Sequence, residues 1–231
     1  MYACESGSRG WGFPSPDSDY DVRFIYVKPR KEYLSINISS DIIELPVNDV
    51  FDVGGWDLLK ALRLFYKSNA VIYEWLQSPV VYKQDDSFIN ELRALMTDYY
   101  SLRTGVNHYL GITKGAWKEM QSREVKIKKY FYCLRPILAA LWIINKQEVP
   151  PMCFSKLRTL ITDSKWQETI DELLHIKSGA NEKMLMEPVP ILQEFIETQI
   201  SYCETNIPDA NQESRNIEKL DTVFRNHLYD I

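Results

Sequence analysis

The chain has 231 residues, of which 45% are hydrophobic and 26% are charged. This composition is globular and excludes a disordered or collagen-like chain, and the length suits one large domain or two small ones. The 27 basic and 32 acidic residues give a net charge of −5, so affinity for nucleic acid or a membrane surface would require a local patch.

In the first 55 residues, the segments rich in β-branched and aromatic residues predict a small sheet. The predicted strands cover residues 1–5, 20–27, 41–45 and 50–53. Prolines and glycines separate these strands, as turns between strands require.

From Trp56 onward the apolar residues recur at intervals of three and four, which is typical of helices. The predicted helices cover residues 58–67, a short stretch after Ser68 and Asn69 to about residue 76, 86–99, 105–120, 123–147, 154–175, 190–205 and 212–229. Pro136 lies inside the helix over 123–147, so we expect that helix to break or kink there. The predicted fold class is α+β, with an α/β domain over residues 1–80 and a helical domain over 81–231.

The cysteines and the apolar segments indicate a cytoplasmic protein. Cys4, Cys133, Cys153 and Cys203 form no C-x-x-C pair, so we predict reduced thiols rather than a zinc site or a disulfide framework. The N-terminus has no features of a signal peptide, and the longest apolar stretch, residues 137–144, is too short to span a bilayer. We therefore expect no membrane partner.

The most informative segment contains a pair of acids. Asp19 and Asp21 are two residues apart at a predicted strand, so both side chains should leave the same face of the sheet. Like charges side by side are unfavourable unless a cation lies between them, and carboxylate oxygens select Mg²⁺ or Mn²⁺. We therefore interpret Asp19 and Asp21 as metal ligands.

Gly7 and Ser8 follow the first predicted strand and indicate a phosphate site. Glycine lets the backbone approach a ligand closely, and the N–H groups of a following turn can hold a phosphate together with the Ser8 hydroxyl. Ten residues separate Ser8 from Asp19, which is enough for the chain to turn and return beside the first strand. Phosphate donors beside metal-binding acids are what nucleotidyl transfer requires.

A third carboxylate on a neighbouring strand would complete such a site. We choose Asp52, because apolar residues flank it as they do on a strand with one inward acid. Asp41 and Glu44 remain competing candidates, and Asp49 and Asp57 are weaker ones.

Two simpler interpretations apply to the acidic segment. Residues 17–21 have the spacing of the first half of an EF-hand loop, but Val22 at the sixth position and Lys28 at the twelfth exclude it. A turn without a ligand is the other interpretation, and we accept it for Ser15 and Asp17. A plain turn does not explain two acids that run into a hydrophobic strand.

Gly7-Ser8, Asp19-x-Asp21 and a later acid resemble the DNA polymerase beta-like nucleotidyltransferase superfamily, and within it the RNA repair pathway DNA polymerase beta family. The similar segments are residues 5–9, 11–13, 18–26, 55–58, 60–62, 74–76, 78–79, 128–130 and 134–136. The resemblance is specific to about residue 145 and weaker beyond. Family members carry a helix and more of the first strand ahead of the motif, where six residues precede Gly7 here. We expect a missing helix to weaken the sheet.

The resemblance implies transfer of a nucleoside monophosphate from an NTP to an acceptor hydroxyl by a two-metal mechanism. It implies that Asp19, Asp21 and Asp52 are the catalytic, metal-binding acids. ATP is the commonest donor in such systems, and the family name suggests RNA as the acceptor, with a protein or a small molecule still open. The alternative is a weakly active or inactive antitoxin-like module that binds nucleotide, RNA or a partner protein.

Nucleotide contacts are predicted in two places, the first being Gly7, Ser8 and Arg9 beside the acids. The second lies within residues 114–135, where seven basic and two acidic residues give a local charge of +5 and leave −10 elsewhere. Lys128, Tyr132 and Arg135 have the i, i+4, i+7 spacing of one helical face. We predict that the basic stripe contacts nucleotide or acceptor, by charge and by stacking; its members are Lys128, Lys129, Tyr132 and Arg135. The alternative is a solvated charged face.

Overall fold

The computed structural model describes residues 1–37, 39–179, 181, 184–209 and 215–228. In chain order the strands are β1 (Tyr2–Glu5), β2 (Tyr20–Tyr26), β3 (Ile42–Glu44), β4 (Phe51–Asp57), β5 (Val81–Gln84), β6 (Val125–Lys126) and β7 (Leu185–Met186). The helices are α1 (Ser8–Trp11), α2 (Arg30–Tyr33), α3 (Leu58–Tyr66), α4 (Ala70–Trp75), α5 (Asp86–Tyr99), α6 (Leu102–Glu119), α7 (Ile127–Lys146), α8 (Phe154–Leu157), α9 (Ser164–Gly179), α10 (Pro190–Thr205) and α11 (Ile217–Asn226). A 3-10 turn over Arg158–Leu160 follows α8. The predicted α+β class is confirmed.

The chain forms two compact units, each built from separate stretches of sequence. The first unit comprises Met1–Gly10, Asp19–Tyr100 and Gln212–Ile231, and the second comprises Trp11–Ser18 and Ser101–Asn211. The sequence prediction instead has two consecutive domains over 1–80 and 81–231.

The five-stranded sheet of the first unit has the order β3-β4-β2-β1-β5. β2 and β4 run parallel, and the other neighbours run antiparallel. The strands predicted from the sequence correspond to β1–β4, whereas β5 was not predicted. All four residues of β5 are exposed, so this edge strand has no alternation of apolar and polar residues from which a strand is recognised.

Helices cover the sheet of the first unit and complete its core. The Asp57 side chain accepts a hydrogen bond from the Lys60 amide at 2.8 Å and so caps the start of α3, as its position before the helix predicts. α11 packs against α3 and α5. The Arg215 guanidinium ahead of α11 donates to the Tyr66 carbonyl at 2.7 Å. The helix predicted over 212–229 is thus present as α11, while residues 212–214 and 229 lie outside the described part.

The second unit is organised around α7, which contacts α6, α8, α9 and α10. The helix continues through Pro136, so the predicted break does not occur. Proline removes the hydrogen bond to the Tyr132 carbonyl. Thirteen of the twenty residues of α7 are buried, and their contacts offset that loss.

The segment Trp11–Ser18 belongs to the second unit through its side chains. The Phe13 ring stacks on Phe131 at a centroid distance of 4.9 Å and meets Phe154 edge-on. The buried Lys177 ammonium donates to the Ser15 hydroxyl at 2.6 Å. Ser15, for which we predicted no ligand, therefore has a structural role.

One predicted helix proves to be two. The helix expected over 154–175 is divided into α8 and α9, because the Asp163 side chain accepts from the Trp166 amide at 2.7 Å and starts a new helix. All four cysteines are free thiols, as expected. No described helix is both long enough and apolar enough to cross a bilayer.

Candidate active site at the start of two parallel strands

Asp21 and Asp52 lie directly opposite each other in the first unit. In the parallel pair, Tyr20 is opposite Phe51 and Asp21 is opposite Asp52. Opposed residues of neighbouring strands point to the same face of the sheet, so both half-buried acids leave one face. Asp19 immediately precedes β2. The structure therefore brings the three predicted acids to the same end of the sheet.

Arg23 lies between the two strand acids. One guanidinium nitrogen, Nη2, is 2.7 Å from Asp52 Oδ2 and 3.7 Å from Asp21 Oδ1. The other, Nη1, donates to the Asp52 carbonyl at 2.7 Å. Arg23 is not among the site residues predicted from the sequence. The available signal was its position two residues after Asp21, which places it on the same face of the strand.

The acids still outnumber the nearby positive charge. Asp19, Asp21, Asp52 and Arg23, which we call the acidic site, have a summed formal charge of −2. The pKa of Asp21 is raised from 3.8 to about 6. Burial is the largest cause, the Asp19 charge acts in the same direction, and Arg23 acts in the opposite direction. The acidic site therefore has an excess of negative over positive charge at neutral pH.

Gly7 makes room for the Asp21 carboxylate. A Cβ atom on Gly7 would lie 1.6 Å from Asp21 Oδ2, a distance that excludes any side chain at this position while Asp21 stays where it is. The close approach that glycine permits here is thus to an acid of the acidic site. The neighbouring Ser8 is buried, and its hydroxyl has no hydrogen-bond partner among the described residues.

Arg9 and Glu5 hold the start of β2. Arg9 Nε donates to the Asp19 carbonyl at 3.1 Å, and its guanidinium lies 4.0 Å from the centroid of the Tyr20 ring. Glu5 is fully buried and accepts from the Asp21 amide at 2.8 Å. Sequence analysis gave Glu5 no role in the site, although an acid at the end of a buried strand is a signal in itself.

The phenol of Tyr82 completes the surroundings of Glu5. Its hydroxyl donates to Glu5 Oε2 at 2.5 Å. Burial and the nearby Glu5 carboxylate raise the pKa of Tyr82 well above its usual value, so the phenol stays protonated and continues to donate. Glu5 is therefore bonded through both oxygens, which fixes the Asp21 backbone.

Two of the four competing acids have other partners, and Glu44 and Asp49 are exposed. Asp41 forms an ion pair with Lys60 at 3.0 Å. Asp57 caps α3, and Glu44 lies exposed on the edge strand β3. Of these acids, Asp52 has the position opposite Asp21, while its role as a metal ligand stays a prediction.

The acidic site suits a divalent cation by the chemistry of its donors. No group of three or more His, Cys, Asp or Glu side chains in the described residues is arranged as a preformed metal cage, and Asp52 is paired with Arg23. The free donors of the acidic site are carboxylate oxygens, which Mg²⁺ and Mn²⁺ prefer. A divalent ion would also offset the formal charge of −2.

A pocket of about 380 Å³ lies beside the acidic site in the first unit. Arg23, Glu44 and Asp52 contribute its polar wall, and Trp56 and Trp75 contribute to its apolar wall. The pocket was not predictable from the sequence, because its walls come from four elements far apart in the chain.

The basic stripe lies on α7 in the second unit. Lys129 forms an ion pair with Glu119 at 2.6 Å, and its ammonium lies 5.9 Å from the Tyr132 ring centroid. Lys128 and Tyr132 are half-buried. Nucleotide contact by the stripe stays a prediction.

Arg135, the fourth member of the stripe, is only 4% exposed. Its Nε donates to the Met152 carbonyl at 3.1 Å, and its guanidinium lies 4.6 Å from the Trp11 ring centroid. The Arg135 charge is therefore engaged inside the second unit.

The sequence was compared with known proteins. The RNA repair pathway DNA polymerase beta family matches residues 1–226. The "Uncharacterized protein YcgL" of Bacillus subtilis (strain 168) is 45% identical over 202 residues, which are 87% of this chain and 78% of that protein. No solved structure matches significantly. Because the match extends over nearly the whole sequence, the chain belongs to the RNA repair pathway DNA polymerase beta family.

Proposed function

We propose that the protein is a metal-dependent nucleotidyltransferase that moves a nucleoside monophosphate from an NTP to an acceptor hydroxyl. The observation that carries this proposal is the pairing of Asp21 with Asp52 across two parallel strands, beside Asp19 and with a formal charge of −2. The polymerase beta-like family supports the same class of reaction. We propose ATP as the donor and an RNA end as the acceptor.

Asp19, Asp21 and Asp52 would hold Mg²⁺ or Mn²⁺. When bound, such ions neutralise the triphosphate, orient the acceptor hydroxyl and stabilise the pyrophosphate leaving group. Arg23 orients the Asp52 carboxylate, and Glu5 holds the Asp21 backbone.

Phosphate binding is proposed for the segment that follows β1. The Ser8 hydroxyl is buried without a partner among the described residues, and an unsatisfied buried hydroxyl costs about 1–3 kcal/mol. A phosphate oxygen of the NTP would supply that partner. Arg9 holds the Asp19 carbonyl and so fixes the start of β2 next to the same segment.

The proposal is tested by transfer of label from α-³²P-labelled NTPs to RNA with a free 3′ hydroxyl, in Mg²⁺ or Mn²⁺. We expect Asp19→Asn to reduce transfer by on the order of 10³-fold, because a neutral amide cannot replace the carboxylate as a metal ligand. Asp49→Asn is the matched control, since Asp49 is exposed in the turn before β4, and it should transfer like the wild type. Equal transfer by Asp19→Asn and the wild type would refute the proposal.

A second candidate is a binding module that performs no transfer. The Arg23–Asp52 ion pair favours it, because a carboxylate already paired with a guanidinium has less need of a metal. Saturable binding of RNA or NTP without transfer in either metal, for the wild type, would support this candidate over the enzyme.

A further inference from the structure

The pocket beside the acidic site has the size and composition of a ligand site. Its volume of about 380 Å³ lies within the range of small-molecule sites, which is roughly 300–1,000 Å³. Arg23, Glu44 and Asp52 offer charged donor and acceptor groups on one side. Trp56 and Trp75 offer aromatic surface. A ligand with a planar apolar ring and polar edges could stack on the aromatic surface and hydrogen-bond to the charged groups.

The two indoles form a fixed aromatic wall. The Trp56 and Trp75 rings are stacked, with centroids 4.0 Å apart and an angle of 27° between their planes. The buried Tyr2 hydroxyl donates to the Trp75 carbonyl at 2.6 Å, which holds the end of α4 against the sheet. Stacking on such rings is the usual way in which proteins bind nucleobases.

The Trp75 indole also carries an unused hydrogen-bond donor. Trp75 is 2% exposed, and its Nε1–H has no acceptor among the described residues. Most buried donors in folded proteins are paired with an acceptor. The same atom is closed to solvent, so Trp75 contributes to the pocket as a buried ring that supports the Trp56 indole.

We propose that this pocket receives the terminal base of the RNA acceptor, with the adjoining ribose at Asp52. A nucleobase combines a planar ring, which can lie against the half-buried Trp56 indole, and in most bases an amino group for Glu44. This inference rests on the proposed function, since it assigns the acceptor end to that same site. It gives the pocket a ligand that is distinct from the NTP.

Filling the pocket provides the test. Val71 lines the pocket from α4, so Val71→Phe should reduce its volume. Val81→Phe is the matched control, because Val81 lies on β5 at the opposite edge of the sheet from β3. Val47→Phe is a second variant at the exposed rim of the pocket, in case Val71→Phe does not fold.

The measurement is a titration of the indole N–H signals in ¹⁵N–¹H NMR spectra with an RNA trinucleotide, without NTP or metal. The Trp75 signal is assigned with Trp75→Phe. We expect saturable shifts of the Trp56 and Trp75 signals in the wild type and in Val81→Phe. Affinity in Val71→Phe or Val47→Phe should be at least ~10-fold lower, because a filled pocket no longer admits the base.

The possible results separate this inference from the proposed function. Unchanged Trp56 and Trp75 signals in the wild type, or unaltered affinity in a folded pocket-filled variant, would overturn the inference. If neither the wild type nor any variant transfers nucleotide, the enzymatic proposal is contradicted. The base site is still supported in that case if the trinucleotide shifts persist and depend on the pocket. Normal transfer by a pocket-filled variant would support the enzymatic proposal and contradict the base site.

Discussion

The acidic site and the basic stripe differ in how their charges are balanced. In the acidic site, the Arg23 guanidinium contacts the carboxylates of Asp21 and Asp52, Asp19 adds a third negative charge, and the pKa of Asp21 is raised to about 6. In the stripe, Lys129 is paired with Glu119, and Arg135 is buried against Trp11. Sequence spacing places each group on one face of its element. The comparison teaches that a charged face becomes a credible ligand site when the surrounding structure leaves its charge uncompensated.

Among the tests of this difference between the two sites, the largest effect is expected for substitution of Asp52. Asp52→Asn should lower nucleotidyl transfer by on the order of 10³-fold, since it removes a proposed metal ligand and the ion-pair partner of Arg23. The rate of label transfer and Mn²⁺ affinity, measured by electron paramagnetic resonance, check this expectation. Asp41→Asn is the control, because Asp41 is paired with Lys60. A loss in Asp41→Asn with a normal rate in Asp52→Asn would make Asp41 the third carboxylate.

In the basic stripe, we expect substitution to have an effect of intermediate size, and the quantity affected is the stability of the fold. Arg135→Met should lower the free energy of unfolding by about 2–3 kcal/mol, because it leaves the Met152 carbonyl without its donor and removes the cation above Trp11. Lys128→Met, at a half-buried position of the same helix, should change it by less than ~1 kcal/mol. Urea unfolding measures both.

Nucleotide affinity of the same two variants sharpens the comparison. A fall in NTP or RNA affinity for Lys128→Met at unchanged stability would establish part of the stripe as a ligand site. Equal stability of Arg135→Met and the wild type would contradict the structural role of Arg135.

The smallest effect is a pH dependence of stability without metal. The pKa of Asp21 is raised in the folded protein to about 6 from 3.8, so the folded state binds the proton more tightly than the unfolded state. The contribution of Asp21 to stability therefore falls as the pH rises from about 4 to about 6, and stays unfavourable above that. Asp21→Asn should have a higher Tm than the wild type at pH 7.5, by a few degrees. This difference should shrink at pH 4.

Thermal melts in EDTA at the two pH values check this expectation, with Asp49→Asn as the control for loss of an exposed carboxylate. A Tm difference between wild type and Asp21→Asn that grows as the pH falls would reverse the predicted sign. Proton competition also predicts that Mn²⁺ affinity of the wild type rises between pH 5 and pH 7.

The acids were predictable because the information needed for them is local. A period of two places Asp19 and Asp21 on one face, and apolar neighbours mark Asp52 as a strand acid. The same period places Arg23 on that face, but a cation is not a metal ligand and so was not predicted there. The register that sets Asp21 opposite Asp52 was not predictable, since it depends on pairing between strands about thirty residues apart.

Other features escaped prediction because tertiary contacts decide them. The continuity of α7 through Pro136 depends on its burial against neighbouring helices, which outweighs the local cost of proline. The burial of Arg135 depends on Trp11, a residue more than 120 positions away in the chain. The pocket beside Asp52 likewise exists only after β3, β4 and α4 meet.

The discontinuity of the two units has a consequence for synthesis in the cell. The chain passes from one unit to the other four times, and α11 joins the first unit only after Ser101–Asn211 of the second. A ribosome therefore releases the whole sheet long before the helix that closes over α3 and α5. During that interval α3 and α5 would expose the surface that α11 later covers, and a chaperone could bind there.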